Sequence, residues 1–245
     1  MTDLSHITAA ILAGGKGTRL RVAVADRPKA LALVRGRPFL SWQLDQLARA
    51  GIRHAVLCTG YMADMIEAAL GPSHGPLQLS YSRETTPLGT AGALRQALPL
   101  LSSDPILVLN GDSYCPADFA AFLQSHQSHA ATLLLARAED VSRFGQVFTD
   151  DHGRITQFTE KSAPAAPPAA GWINAGIYLL SRRFIEAIPQ NRPVSLETEI
   201  FPAAIPHSLH AFRSAAPFLD IGTPASYAAS EAFFAAIAPP TEPVA

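Results

Sequence analysis

Leu12-Ala13-Gly14-Gly15-Lys16-Gly17-Thr18-Arg19-Leu20 follows directly on the apolar run Ile7–Leu12, and this junction decides the fold class. A continuous apolar run that ends in glycines is what a strand buried on both faces of a parallel sheet presents. Working outward, Phe39 to Ala50 places Leu40, Leu44, Leu47 and Ala48 on one face and stops at Gly51, which predicts a helix. His54–Thr59, Leu77–Ser82 and Ile106–Asn110 predict further strands, and Met62–Leu70 and Ala91–Leu98 the helices between them. This alternation implies βαβ units and a largely parallel sheet. Beyond a helix at Phe119–His126, the strand-like runs Ala131–Ala136, Gln146–Thr149, Ile155–Thr159 and Ile173–Leu180 crowd together with few helices. A mixed, partly antiparallel second half is therefore expected to complete the same body. Ala163–Ala170 reads as a surface loop, and a last helix is expected from about Pro224 to Ala236.

Composition narrows the class. Of the 245 residues, 48% are hydrophobic and 16% charged, enough for a sizeable core. Lys+Arg 19 against Asp+Glu 20 gives a net charge of −1, without the basic excess of a nucleic-acid binder. Mean hydropathy is +0.15, yet no apolar run approaches the roughly 18 residues of a membrane-spanning helix. Asp3 and the absence of a cationic start argue against a signal peptide. Cys58 and Cys115 make neither a disulfide framework nor a zinc site, and Cys58 reads as a core thiol. His126 and His129 lack a companion carboxylate or cysteine cluster and read as a solvated helix end, and Trp42 as packing. A soluble cytoplasmic globular protein is expected.

The glycine-rich junction carries the chemistry. In an open α/β sheet, ligands bind beyond the carboxyl ends of the strands, where this loop must lie. Glycines let backbone N–H groups curve closely around a phosphate, and Lys16 and Arg19 add charge. The loop lacks the Gly-Lys-Ser/Thr ending of a Walker A motif, and Leu20 replaces the third glycine of the dinucleotide fingerprint. Lys29, behind the rigid Pro28, either reaches back over the same cleft or is a solvated surface lysine. Asp112, at the end of a buried strand, and Asp220, set between apolar neighbours before Gly222, would complete a magnesium site with phosphate oxygens. The competing reading of Asp220 is a helix cap, for which Thr223 is better placed. Glu160, Asn174 and Glu197 suit sugar hydroxyls, and Lys161 suits a phosphate.

In this order the residues resemble the sugar-1-phosphate nucleotidylyltransferase family. Its opening signature G-G-x-G-T-R-L followed by P-K stands here as Gly14–Leu20 and Pro28-Lys29. The likeness continues through residues 84–94, Gly111-Asp112, Glu160-Lys161, Asn174-Ala175-Gly176 and Asp220. Residues 20–29 and 36–40 most resemble D-glycero-α-D-manno-heptose 1-phosphate guanylyltransferases. Arg21-Val22-Ala23 replaces the common Pro-Leu-Thr, and Pro28-Lys29-Ala30 the common Pro-Lys-Pro, departures that bear on nucleotide and sugar identity. No hexapeptide β-helix follows the α/β body, so a trimer built through one is not implied.

The resemblance implies a Rossmann-like nucleotidyltransferase fold: a three-layer α/β sandwich with a mixed, mostly parallel central sheet flanked by helices. It implies one domain over 1–237, with a nucleotide-binding part at about 1–115, a sugar-phosphate-binding part at about 116–237, and a flexible tail at 238–245. The implied reaction transfers a nucleoside monophosphate from GTP, or another nucleoside triphosphate, to a sugar 1-phosphate with Mg²⁺. D-glycero-α-D-manno-heptose 1-phosphate is the first acceptor, and the product would serve surface polysaccharide synthesis. Mannose-1-phosphate guanylyltransferase and glucose-1-phosphate uridylyl- or thymidylyltransferase are the alternatives. No nucleic-acid or membrane partner is implied, and a homodimer is left open.

By position, Leu12, Gly14, Gly15, Gly17 and Thr18 would cradle the nucleotide, and Arg19 and Lys29 would meet its phosphates. Glu84, Gly89 and Thr90 would lie at base and ribose, with Gly92 allowing close approach. Asp112 and Asp220 would hold the metal. Gly145, Glu160, Lys161, Asn174 and Glu197 would bind the sugar phosphate. Two other classes compete. A glycosyltransferase should carry an Asp-x-Asp metal motif, which Gly111-Asp112-Ser113 does not supply. A nucleotide-sensing relative should lose Arg19, Lys29 or Asp220, and all three are present.

Overall fold

The computed structural model describes residues 2–127, 129–141, 144, 146–158, 170–190, 192–207 and 209–237. Its organising element is a sheet with two dry faces, built by the period-two alternation of strand side chains. In Thr8–Leu12 (β1), Ala9 and Ile11 enter one core cluster and Ala10 the opposite one. His54–Thr59 (β2) divides Ala55 and Leu57 from Val56 and Cys58 in the same way. The sheet is completed by Ser73–His74 (β3), Leu77–Arg83 (β4), Ile106–Asn110 (β5), Ala131–Ala138 (β6), Gly171–Leu180 (β7) and Leu209–Ser214 (β8). The order across it is β8-β6-β7-β5-β1-β2-β4-β3. Strands β4, β2, β1 and β5 are parallel, whereas β7 runs against both of its neighbours, β5 and β6. The sheet is thus mixed but mostly parallel, as expected, and strands from both halves of the chain share it.

The helices are Phe39–Arg49 (α1), Ala63–Leu70 (α2), Gly89–Ala97 (α3), Phe119–His126 (α4), Arg182–Glu186 (α5), Phe201–Ala204 (α6) and Pro224–Ile237 (α7). Leu40, Leu44 and Leu47 of α1, Ile66 of α2 and Phe122 of α4 pack on one face of the sheet. Leu94 of α3, Ile185 of α5 and Phe201 of α6 pack on the other. A third cluster joins α1 to α7, where the Trp42 and Phe234 rings stack with centroids 4.3 Å apart. Trp42 is therefore packing, as its place on α1 predicts.

Strand β8 and helices α5 and α6 go beyond the sequence expectation. The two helices span five and four residues, too short for a 3.6-residue period to register, and β8 is a sheet-edge strand whose middle residues are only partly buried. The expected loop at 163–170 falls almost entirely outside the described residues, as does the tail at 238–245.

One expectation is overturned. His126 is not a solvated helix end: it is 3% exposed, with Nδ1 2.8 Å from Thr132 Oγ1. Phe119, Phe122 and His126 share the buried stripe of α4, so the imidazole faces the sheet. His129 stacks on His210 with ring centroids 3.4 Å apart. Burial holds the His126 imidazole neutral and lowers its pKa to about 4, with His129 and His210 adding to the depression and Asp104 opposing it. Since an unfolded chain protonates this ring near pH 6.5, it binds more protons than the native state between pH 6.5 and about 4. Stability is therefore lost as pH falls through that window, by on the order of 2–3 kcal/mol from this group. Urea unfolding across pH 4–7 should show a shallower acid loss in His126→Gln than in the wild type, and identical slopes would refute the assignment.

Candidate active site

The carboxyl ends of β1, β2, β4 and β5 open onto a cleft of about 840 Å³, lined on one side by Leu12, Gly14, Gly15 and Lys16 and on the other by residues 84–87, Gly89 and Thr90. Glu84 reaches between two strand-end turns. A Cβ on Gly14 would lie 2.7 Å from its Oε1, and one on Gly60 2.5 Å from Oε1 and 2.7 Å from Cγ, so the Glu84 side chain packs closely against both glycines. Oε2 accepts a hydrogen bond from the Leu88 N–H at 3.0 Å. Among the described residues no cation pairs with this carboxylate, and burial raises its pKa despite the Leu88 bond. Cys58 also lines the cleft. Burial, and secondarily Glu84, push its thiol up to about 12, so it is no nucleophile.

The glycine loop is anchored at both ends. Ala13 N donates to Cys58 O, Tyr61 N to Gly14 O, and Leu20 N to Gly17 O. Among the described residues, the N–H groups of Gly15, Lys16, Gly17, Thr18 and Arg19 between these anchors find no acceptor. Consecutive free donors on a curved backbone form an anion cradle. Gly17 takes φ +59°, which brings the loop against Lys29. A second cavity of about 230 Å³ is lined by Gly15, Gly17, Thr18, Arg19, Lys29 and Asp112.

The two acids converge through a short ladder. Ser113–Tyr114 pairs antiparallel with Leu219–Asp220, and Ile221 N donates to Asp112 O at 2.9 Å. Lys29, only 12% exposed, places Nζ 2.6 Å from Asp112 Oδ2, which settles the choice between cleft and surface lysine. A Cβ on Gly222 would stand 2.6 Å from Asp220 Oδ1 and 3.5 Å from both Arg19 Nη2 and Lys29 Nζ. Two cations and an acid thus gather around one glycine. Asp220 Oδ1 accepts from Gly222 N, while Thr223 Oγ1 accepts from Ser226 N, so the threonine takes the capping role at α7. No cluster of three or more potential metal ligands exists among the described residues. Two carboxylates beside a phosphate cradle nonetheless fit Mg²⁺, which takes one or two protein carboxylates and completes its shell with phosphate oxygens and water.

A third cavity, about 360 Å³, runs from Asp112 and Asp220 to Asn174, Gly176, Phe144 and Phe218. Asn174 Nδ2 donates to Tyr178 Oη at 3.0 Å, and that hydroxyl donates to Glu197 Oε1 at 3.4 Å. Thr90 Oγ1 and Ser195 Oγ donate to Glu197 Oε2 at 2.7 and 3.0 Å. Burial, and then Glu197, hold the Tyr178 phenol protonated well above its ordinary range. Asn174 and Glu197 are therefore joined through Tyr178, a residue the sequence reading assigned no role. Asn110 was likewise passed over. It lines both the first and third cavities, and its buried Oδ1 has no partner among the described residues. A polar residue ending a buried strand just before Gly-Asp was the available signal.

Gly92 corrects an expectation. It faces Leu88, Arg192 and Val194 rather than the cleft, so its missing side chain serves packing between α3 and residues 192–194. Gly145, Glu160 and Lys161 lie outside the described residues.

A nucleotidyl transferase family model matches residues 8–236. The mannose-1-phosphate guanylyltransferase of Mycobacterium tuberculosis is 39% identical over 228 residues, covering 91% of this chain and 63% of that protein. The catalytic subunit beta of mannose-1-phosphate guanylyltransferase from Danio rerio is 37% identical over 227 residues, 89% of this chain and 62% of that one. The chain thus spans about three fifths of the length of the curated relatives it matches. Among solved structures, HddC from Yersinia pseudotuberculosis complexed with GMP-PN superposes with a TM-score of 0.82 at 30% identity, covering 93% of this chain and 99% of that one.

The glycines of the cleft separate cleanly in their tolerance. Gly89 has φ +73°, and an added Cβ would meet Val194 O at 2.4 Å, whereas Gly15 has nothing within 4 Å. Gly89→Ala should cost about 2 kcal/mol or more of unfolding free energy and Gly15→Ala within about 0.5. Equal effects in denaturant titration would contradict the placement of residues 88–90 against 194.

Proposed function

The chain belongs to the nucleotidyl transferase family, and from that premise we propose that it transfers a guanylyl group from GTP to a sugar 1-phosphate, releasing pyrophosphate. One observation carries the reading. Asp112 lines all three cavities, so the base cleft, the phosphate cradle and the third pocket meet at a single carboxylate. That is the layout needed for one anion to approach the α-phosphorus of another in line.

No side-chain nucleophile is required, because a phosphate oxygen of the acceptor attacks and pyrophosphate leaves. The protein's task is to neutralise and align two anions that repel each other. The free N–H groups of 15–19 hold the triphosphate, Arg19 takes the charge of the departing pyrophosphate, and Lys29 lies at the α-phosphate beside Asp112. Asp112 and Asp220 would hold Mg²⁺, which when bound supplies Lewis-acid polarisation of the α-phosphoryl group. Asn174 and Glu197 meet sugar hydroxyls, and Lys161, with Glu160 and Gly145, is assigned to the sugar phosphate from the motif alone. The acceptor's anomeric C–O bond is untouched, so its configuration is retained.

Glu84 supports guanine. A half-buried carboxylate without a cation, in a site that admits a triphosphate, is costly unless the ligand brings donors to it. Guanine offers adjacent N1–H and N2 amino donors, whereas uracil and thymine flank their single N–H with carbonyls, and adenine sets an acceptor beside its amino group. The likeness of residues 20–29 and 36–40 favours D-glycero-α-D-manno-heptose 1-phosphate as acceptor, with the product entering surface polysaccharide synthesis. The relatives' names favour mannose 1-phosphate, which shares the manno ring and differs at C6. The proposed setting is the cytoplasm; no helix among the described residues is long and apolar enough to cross a membrane.

The test is pyrophosphate release for four nucleoside triphosphates against heptose, mannose and glucose 1-phosphates. GTP with a manno-configured acceptor should give the highest kcat/KM. Glu84→Gln, whose amide complements uracil, should lower the GTP-to-UTP preference at least about tenfold. An unchanged ratio would remove Glu84 from base reading, and a wild-type preference for UTP would overturn the guanylyl assignment.

A further inference from the structure

Helix α1 lies behind the acid-bearing turn, and Gln43 on it is 1% exposed. Its Nε2 donates to Asn110 O at 2.8 Å and to Ser113 O at 2.7 Å, the carbonyls on either side of Gly111-Asp112. Its buried Oε1 finds no hydrogen-bond partner among the described residues. A buried amide that leaves one end unsatisfied is a standing cost, and an apolar side chain of similar size would pack there without it. What the amide achieves is geometric. Its two N–H bonds fix the span of the turn that presents Asp112. Ser113 is also the residue paired with Asp220, so the same clamp sets where the second acid sits relative to the first.

We propose that Gln43 is a positioning residue for the divalent-cation site: its amide pins the Asn110 and Ser113 carbonyls so that Asp112 and Asp220 face the same point. The inference rests on the reading that these two acids hold the metal. Outer groups that orient a metal's ligands are worth about 10–100-fold in metal affinity. Gln46, one turn further along α1, supplies the control. Its Nε2 donates to Cys115 O at 2.8 Å, past the acids, so its loss disturbs the same helix packing without touching the Asp112 turn.

The experiment measures Mn²⁺ affinity of the full chain with a non-hydrolysable GTP analogue, by electron paramagnetic resonance of free Mn²⁺, alongside melting temperature. Gln43→Met should weaken Mn²⁺ binding at least about tenfold, while Gln46→Met stays within about twofold of wild type at a comparable melting temperature. Gln43→Glu keeps the side chain's shape but turns a carboxylate oxygen toward the two carbonyls. It should weaken binding as Gln43→Met does, and stands in for it should the methionine variant not fold. Unchanged Mn²⁺ affinity in the Gln43 variants, or an equal loss in Gln46→Met, overturns the proposal. Asp112→Asn separates the two levels. If it too binds Mn²⁺ normally, the metal assignment itself fails, whereas if it alone loses binding, only the role of Gln43 does.

Discussion

Asp112 and Asp220, far apart in the chain, are brought to the wall of one cavity, and the rest of the cleft is arranged around that convergence. The solution is the short antiparallel ladder between Ser113–Tyr114 and Leu219–Asp220, reinforced by the Ile221 N–H on the Asp112 carbonyl. Lys29 Nζ lies 2.6 Å from Asp112 Oδ2, and the Arg19 and Lys29 side-chain nitrogens approach Gly222 beside Asp220 Oδ1, so basic groups are set close to both acids. The ladder lies over the aromatic cluster of Trp42, Tyr114 and Phe234, so the last helix is tied mechanically to the site.

The sheet explains why the cleft-lining groups converge. Parallel strands β4, β2, β1 and β5 present their carboxyl ends along one edge, and each is followed by a residue or loop that lines the cleft: Glu84, Gly60, the glycine loop and Asp112. The antiparallel β7 enters beside β5 and brings Asn174 to the same edge, and the turn at 195–197 brings Glu197 against Thr90. The Tyr178 hydroxyl then links Asn174 to Glu197, so β7 and the turn at 195–197 are mechanically coupled.

Much of this was legible in the residues. Continuous apolar runs marked the buried strands, and His54–Thr59, Ile106–Asn110 and Phe119–His126 coincide with their elements because turn residues bound them. Residues of the 14–19 loop, Lys29, Asp112 and Asp220 line neighbouring cavities, since their motifs sit where strand ends open. What escaped reading depends on tertiary partners. His126 looked solvated because helix-end position outweighed its i, i+4 relation to Phe122. Gly92 looked like a ligand-facing glycine because nothing local reveals that Val194 packs on it. Gln43 on a helix has no signature at all, since its significance lies in two carbonyls far along the chain.

The central claim is that two anions meet end to end at Asp112 with the sugar's own oxygen bridge intact. It is tested most directly with a sugar 1-phosphate carrying ¹⁸O in the C1–O–P bridge, incubated with GTP and Mg²⁺ and followed by mass spectrometry. The account predicts that all label appears in the nucleotide sugar and none in pyrophosphate or inorganic phosphate. Label released as inorganic phosphate would mean that the sugar, and not the nucleotidyl group, is transferred, and would contradict it.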